Sequence, residues 1–142
     1  MANEKTPPLN TGAPGQSDEA EIALPPEPQS APAARRFVLD LGWVDDEDTR
    51  HKLSTLVSEV VTNAVLHART PLTLKAQLQN NRIRVSVIDG SETLPRLRRR
   101  EPTAATGRGL LIVQALADRW GVDPVESGKT VWFELDRQTL VA

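Results

Sequence analysis

The stretch SEVVTNAVLHA, Ser58 to Ala68, decides how the chain is read. Val60, Val61, Ala64 and Val65 suit a helix that packs into a core, yet Glu59, Asn63 and His67 recur every fourth residue. At ~100° per residue those three fall on one strip along the edge of the apolar stripe. A helix built for burial thus lines up a carboxylate, an amide and an imidazole where a cleft between helix and sheet would open. The plain alternative is a solvated helix edge.

Outward from this stretch, the helical pattern runs from Asp45 to Ala68. Asp45, Asp46, Glu47 and Asp48 place negative charge at its start, where the helix dipole favours it. Leu53, Val57, Val60, Val61 and Ala64 continue the stripe. Upstream, Glu21-Ile22-Ala23-Leu24 reads as a short edge strand stopped by Pro25-Pro26. Ala31 to Leu41 reads as a helix with Ser30 as N-cap, Pro32 in its first turn and Gly42 closing it. Downstream of Pro71, Leu72, Leu74, Ala76 and Leu78 alternate with polar residues as in a strand with one solvated face. Asn80-Asn81 predicts a hairpin turn into Ile83–Ile88. A further helix is expected from Leu110 to Trp120, closed by Gly121, and a last strand from Thr130 to Leu135. The fold class is α+β: a two-layer sandwich of a mixed, mostly antiparallel sheet with helices on one face.

The chain has 142 residues and a net charge of −2, which suits one domain and gives no overall pull toward nucleic acid or an acidic membrane. The absence of cysteine removes thiol chemistry, disulfides and thiolate metal sites. With two histidines, His51 and His67, a His-rich zinc centre is excluded. The opening MANEKTPPLNTGAPGQ lacks the apolar run of a signal peptide, and no later run reaches membrane-spanning length, so a cytoplasmic location is expected. Residues 1–18 are expected to form a disordered Pro/Gly-rich tail, 19–137 the domain, and 138–142 a short end.

Four features point to chemistry. Asn63 offers a hard oxygen suited to Mg²⁺, and Glu59 one turn earlier could deprotonate or orient an attacking hydroxyl. Asp89-Gly90 ends a strand with a carboxylate and a glycine that lets other groups approach, although such pairs also form simple turns. Gly107, Arg108 and Gly109 precede Leu110 as an expected flexible loop whose N–H groups and guanidinium could receive phosphate oxygens. Gly128-Lys129-Thr130 opens the last strand, where the Thr130 hydroxyl could reach inward; a plain hairpin turn is the alternative. The cluster Arg96, Arg98, Arg99 and Arg100 has no interleaved aromatics and reads as a solvated segment near phosphate, with no direct nucleic-acid contact.

In this order and spacing, the four features resemble the ATP-binding domain of the GHKL superfamily with its Bergerat fold. That domain is shared by gyrase-type topoisomerases, the heat-shock chaperone ATPase, histidine kinases and the mismatch-repair ATPase. The chain is most similar to small anti-sigma-factor serine kinases of the actinobacterial type. The resemblance runs from about Glu19 to Leu135, carried best by SEVVTNAVLHA and by TGRGLLIVQALAD, Thr106 to Asp118. It implies ATP and Mg²⁺ as cofactors, with Asn63 holding the metal, Glu59 as the catalytic carboxylate and His67 near the nucleotide. It further implies that Asp89, with Gly90, receives the adenine amino group and that Thr130 supports it. Gly107, Arg108, Gly109 and Leu110 would close over the phosphates. A serine/threonine kinase acting on a small antagonist protein is the implied activity, with a sigma factor as second partner and homodimerisation. A contact-only regulator and a slow ATPase are the alternatives. The chain departs from larger members after Asp89, where no second glycine follows, and in a short, arginine-rich segment from Ser91 to Thr106.

Overall fold

The computed structural model describes residues 18–90, 104–125 and 128–137, with residues 104–109 described by their backbone alone. Residues 1–17 of the expected tail, most of the arginine-rich segment and the end at 138–142 lie outside the described residues, whereas Asp18, expected as the tail's last residue, begins the first strand. Eight elements follow one another: β1 (Asp18–Leu24), α1 (Ser30–Leu39), α2 (Glu47–His67), β2 (Leu72–Gln79), β3 (Arg82–Asp89), α3 (Ala104–Leu116), β4 (Arg119–Val125) and β5 (Gly128–Asp136). The strands form one sheet in the order β1-β2-β3-β5-β4, and all four pairings are antiparallel. The α+β sandwich expected from the sequence is the fold observed.

Side-chain alternation decides which face is covered. On β2, β3 and β5, Leu72, Leu74, Ala76, Ile83, Val85, Val87, Val131, Phe133 and Leu135 are buried on one face. The helices pack there, with α2 over β3 and β5, α1 beside β1, and α3 beside β4. The α2 stripe of Leu53, Leu56, Val57, Val60 and Val61 meets this face, each residue at most 2% exposed. Burying one such side chain stabilises the fold by about 1.5–3 kcal/mol, so this face carries most of the hydrophobic driving force. The opposite face is polar. There Arg84 lies 4.0 Å over the Trp132 ring, Glu134 bridges Arg84 and Arg119, and Trp132 Nε1 donates to Asp123.

Local chemistry explains the element ends. Asp46 caps α2, its carboxylate accepting from the Thr49 N–H at 2.9 Å. That hydrogen bond, on the backbone and with the Thr49 hydroxyl, holds the Asp46 carboxyl below its usual range. Asn80 and Asn81 both take positive φ, 54° and 62°, as a tight turn with the twist of its strands requires. Gly42 takes φ 72° past the end of α1, although the helix itself closes at Leu39, with Asp40 as its C-cap.

Three expectations need correction. Ser30 is the first residue of α1 rather than its N-cap: its hydroxyl donates back to the Pro25 carbonyl at 2.5 Å, and Gln29 occupies the cap position. Helix α3 runs from Ala104 to Leu116, not from Leu110 to Trp120. Ala104-Ala105 are strong helix formers that extend it backward. At the other end, Trp120 and Gly121 belong to β4, where Gly121 lies directly beneath Trp132. A Cβ at Gly121 would sit 2.7 Å from that ring, so glycine is demanded there by packing between strands and does not mark a helix end.

Candidate functional site

The site forms at the end of the sheet where β2 begins, β3 ends and β5 begins. Register places Leu72, Asp89 and Lys129 side by side across those strands. The rows behind them are apolar: Leu74–Val87–Val131, then Ala76–Val85–Phe133. Only the last row carries charge, and it faces α2. Asp89 and Lys129 are buried, with 1% and 3% of their side chains exposed, and the Lys129 ammonium donates to both carboxylate oxygens at 3.2 and 3.0 Å.

Helix α2 contributes the polar strip. Glu59 is half-buried, Asn63 is 7% exposed and His67 is exposed. The Asn63 Oδ1 is buried with no hydrogen-bond partner among the described residues. Leaving such an oxygen unpaired costs about 1–3 kcal/mol, so its position calls for a ligand. His67 is held below its ordinary pKa first by partial burial and then by the nearby Lys129 charge. It therefore favours the neutral imidazole. Protonating it costs the fold stability: the penalty is absent above about the unfolded value of 6.5 and is incurred as pH falls through the lower folded one. The Lys129 influence also ties the α2 strip to the Asp89 end of the sheet.

Two glycines and a threonine set the backbone around Asp89. The Gly90 N–H donates to the Thr70 hydroxyl at 2.9 Å, tying the strand end to the loop after α2. Gly128 packs against the Asp89 carbonyl so closely that no side chain fits. On the other flank of α2, Arg35 of α1 donates to the Ser58 hydroxyl at 2.8 Å, beside Glu59 in sequence.

Glu59, Asn63 and His67 thus share one strip of α2, and His67 lies near the buried Asp89–Lys129 pair. Thr130 is not brought to Asp89. It pairs with Ile88 and Asp123, and alternation places it on the face away from the helices. Lys129 holds the place beside Asp89 instead. The sequence carried a signal for this, because Val131, Phe133 and Leu135 share the phase of Lys129 and Thr130 does not. Gly107, Arg108 and Gly109 lie within α3 rather than in a loop before it, and their side chains are outside the described residues. Leu110, the next residue, is 2% exposed and anchors α3 to the core.

The residues present fit Mg²⁺ held chiefly by a nucleotide. Among the described residues, no group of three or more His, Asp or Glu side chains comes together as a metal cage. A single amide oxygen such as Asn63 Oδ1 suits a cation that keeps waters and takes its other ligands from phosphates.

An antiparallel sheet layered under α1, α2 and α3, with a polar helix strip over a buried Asp, defines a GHKL-type nucleotide-binding domain. The chain belongs to the histidine kinase-like ATPase domain family, whose model matches residues 24–135. It is similar to the RsbU and RsbW domains of a Mycobacterium tuberculosis protein, with a TM-score of 0.61 and 21% identity. That match covers 84% of this chain and 32% of that one, and shows the fold. A histidine kinase domain from a blue-light-activated histidine kinase of Erythrobacter litoralis gives a TM-score of 0.48 and 26% identity, over 62% of this chain and 44% of that one. This chain therefore spans about a third of the first of those proteins and less than half of the second. No curated protein matches it. Among the described residues, no helix is long and apolar enough to cross a membrane.

Proposed function

We propose that residues 19–137 bind Mg²⁺–ATP between α2 and the sheet and transfer its terminal phosphoryl group to a serine or threonine of a small antagonist protein. The observation that carries this reading is the buried, unpartnered Asn63 Oδ1, one helical turn from Glu59 and on the strip that leads to Asp89. In this reading Asn63 Oδ1 ligates Mg²⁺, and Asp89 accepts from the amino group of the base. Glu59 takes the proton of the acceptor hydroxyl as its oxygen bonds to phosphorus, and the bond from phosphorus to the bridging oxygen of ADP breaks. ATP would supply the phosphoryl group, and Mg²⁺ held by Asn63 Oδ1 would supply positive charge for the departing oxygen. In this reading the chain acts in the cytoplasm in an anti-sigma partner-switching circuit, with a sigma factor as the alternate partner, as its sequence resemblance to anti-sigma-factor serine kinases implies.

A contact-only regulator is the second reading, and two observations favour it. Lys129 already occupies both oxygens of Asp89, and α3 runs helical through Gly107, Arg108 and Gly109. Calorimetric titration with ATP, with and without Mg²⁺, separates the two. Magnesium-dependent binding, with Glu59→Ala retaining affinity but losing transfer to a serine-bearing antagonist, is the expected outcome. Absence of binding at millimolar nucleotide would leave the contact-only reading in place.

A further inference from the structure

The two edges of the sheet are built differently. At one edge β4 holds Gly121 and Pro124, and a proline interrupts the row of N–H donors that an added strand would use. At the other edge β1 is seven residues without proline, glycine or lysine, paired with β2 in unbroken register from Asp18–Leu78 to Leu24–Leu72. In an antiparallel ladder only alternate residues of a strand bond to a given neighbour. The remaining N–H and C=O groups of β1 point away from β2, and no strand among the described residues takes them. Pro25-Pro26 ends this template.

We propose that the outer edge of β1 docks a basic, extended segment of a partner protein, which joins the sheet as an added strand. Charge selects the partner. Glu19 and Glu21 are exposed on the polar face of the sheet, and β1 carries no basic residue. Gln77 donates to Glu19 at 3.3 Å and Lys75 stands in register with Glu21, both from the β2 side, away from an incoming strand. A residue added opposite each glutamate falls on the same face, so lysine or arginine there makes opposite-charge cross-strand pairs. On the helix side Ala20 and Ile22 are only partly buried, so apolar residues alternating with the basic ones would cover them. A second copy fits worse, because the full seven-residue antiparallel overlap sets Glu21 opposite Glu21. The edge lies outside the nucleotide site, and the proposal stands independently of that reading.

Titration and amide hydrogen exchange of the full chain with end-blocked synthetic peptides test this. One peptide alternates lysine and valine, a second replaces each lysine by glutamate, and a third keeps the first composition with all lysines grouped at one end. The alternating lysine–valine peptide is expected to bind at least about tenfold more tightly than either of the others. Alternate amides of β1, fast in the chain alone, are expected to exchange about tenfold or more slowly once it is bound. Glu19→Lys combined with Glu21→Lys, at two exposed positions, is expected to reverse the preference toward the glutamate peptide. A lysine–valine peptide that binds no better than the other two, or that leaves exchange at β1 unchanged, overturns the proposal. Slow exchange of every β1 amide in the chain alone overturns it as well. Protection independent of concentration would assign the edge to this chain's own residues 1–17, and protection that rises with concentration would assign it to a second copy.

Discussion

Gly128 and Asp89 are in backbone contact across β5 and β3: a Cβ on Gly128 would lie 1.8 Å from the Asp89 carbonyl oxygen. No rotamer relieves this, because the obstacle is main chain. The strand carrying Lys129 can therefore approach the strand carrying Asp89 only if residue 128 is glycine. Gly128→Ala is expected to push the strands apart at this end and destabilise the fold by about 1–3 kcal/mol. Urea unfolding measures the loss, and a variant as stable as the parent would show that the approach is not required.

Asn63→Ala separates stability from binding. Removing the unpartnered buried oxygen relieves a cost of about 1–3 kcal/mol and gives up packing of similar size. The unfolding free energy is expected to stay within about 1 kcal/mol of the parent, while Mg²⁺–ATP affinity falls by at least about tenfold. Parallel denaturation and calorimetry check both halves. Unchanged affinity would sink the assignment of Asn63 as the metal's ligand.

Gly121→Ala tests the polar face. The added methyl would meet the Trp132 indole at 2.7 Å and displace it from beneath Arg84. A loss of about 1–3 kcal/mol is expected, with a change in tryptophan emission. Nucleotide affinity should hold, because Trp132 lies on the face away from α2.

Glu134 gives the polar face a pH dependence. Burial raises its pKa, but hydrogen bonds from Arg119 at 2.7 Å and Arg84 at 2.9 Å outweigh that and hold it below the ordinary 4.5. A depressed carboxyl contributes stability in full above the unfolded value, and loses it as pH falls through the folded one. Glu134→Gln should therefore be less stable than the parent at pH 7, with the gap narrowing below about pH 4.5. Urea unfolding at a series of pH values checks this; a gap constant with pH would mean that the ion pairs contribute nothing.

Much of this was legible from period and punctuation. The α2 stripe, the acidic start that contains Asp46, the β2–β3 hairpin at Asn80-Asn81 and the edge position of β1 all follow from local chemistry. Strand β4 did not, for a physical reason: Gly121 and Pro124 are signals for a helix end and a turn, and their strand role depends on Trp132 of a neighbouring strand and on the edge position. Thr130 was misread by one residue of phase. In a strand that exchanges faces completely, so Lys129 rather than Thr130 meets Asp89. The helical backbone through Gly107–Gly109 was hidden because glycines before an apolar run are ordinarily loop.

At the far end of the sheet, Arg137 joins three segments distant in sequence. Its N–H donates to the Asn81 carbonyl at 2.7 Å, and its guanidinium donates to the Asn81 side chain and to the Trp43 carbonyl, each at 2.8 Å. It thus staples the hairpin tip, the connection between α1 and α2, and the end of β5. Arg119 adds a tie to Asp136 at 2.5 Å on the same side. At the Asp89 end, the Gly90 N–H to Thr70 hydroxyl bond holds the end of β3 to the loop after α2. The sheet is consequently buttoned to the chain between α1 and α2 at the end opposite Asp89, and Arg137→Ala would undo three side-chain attachments at once.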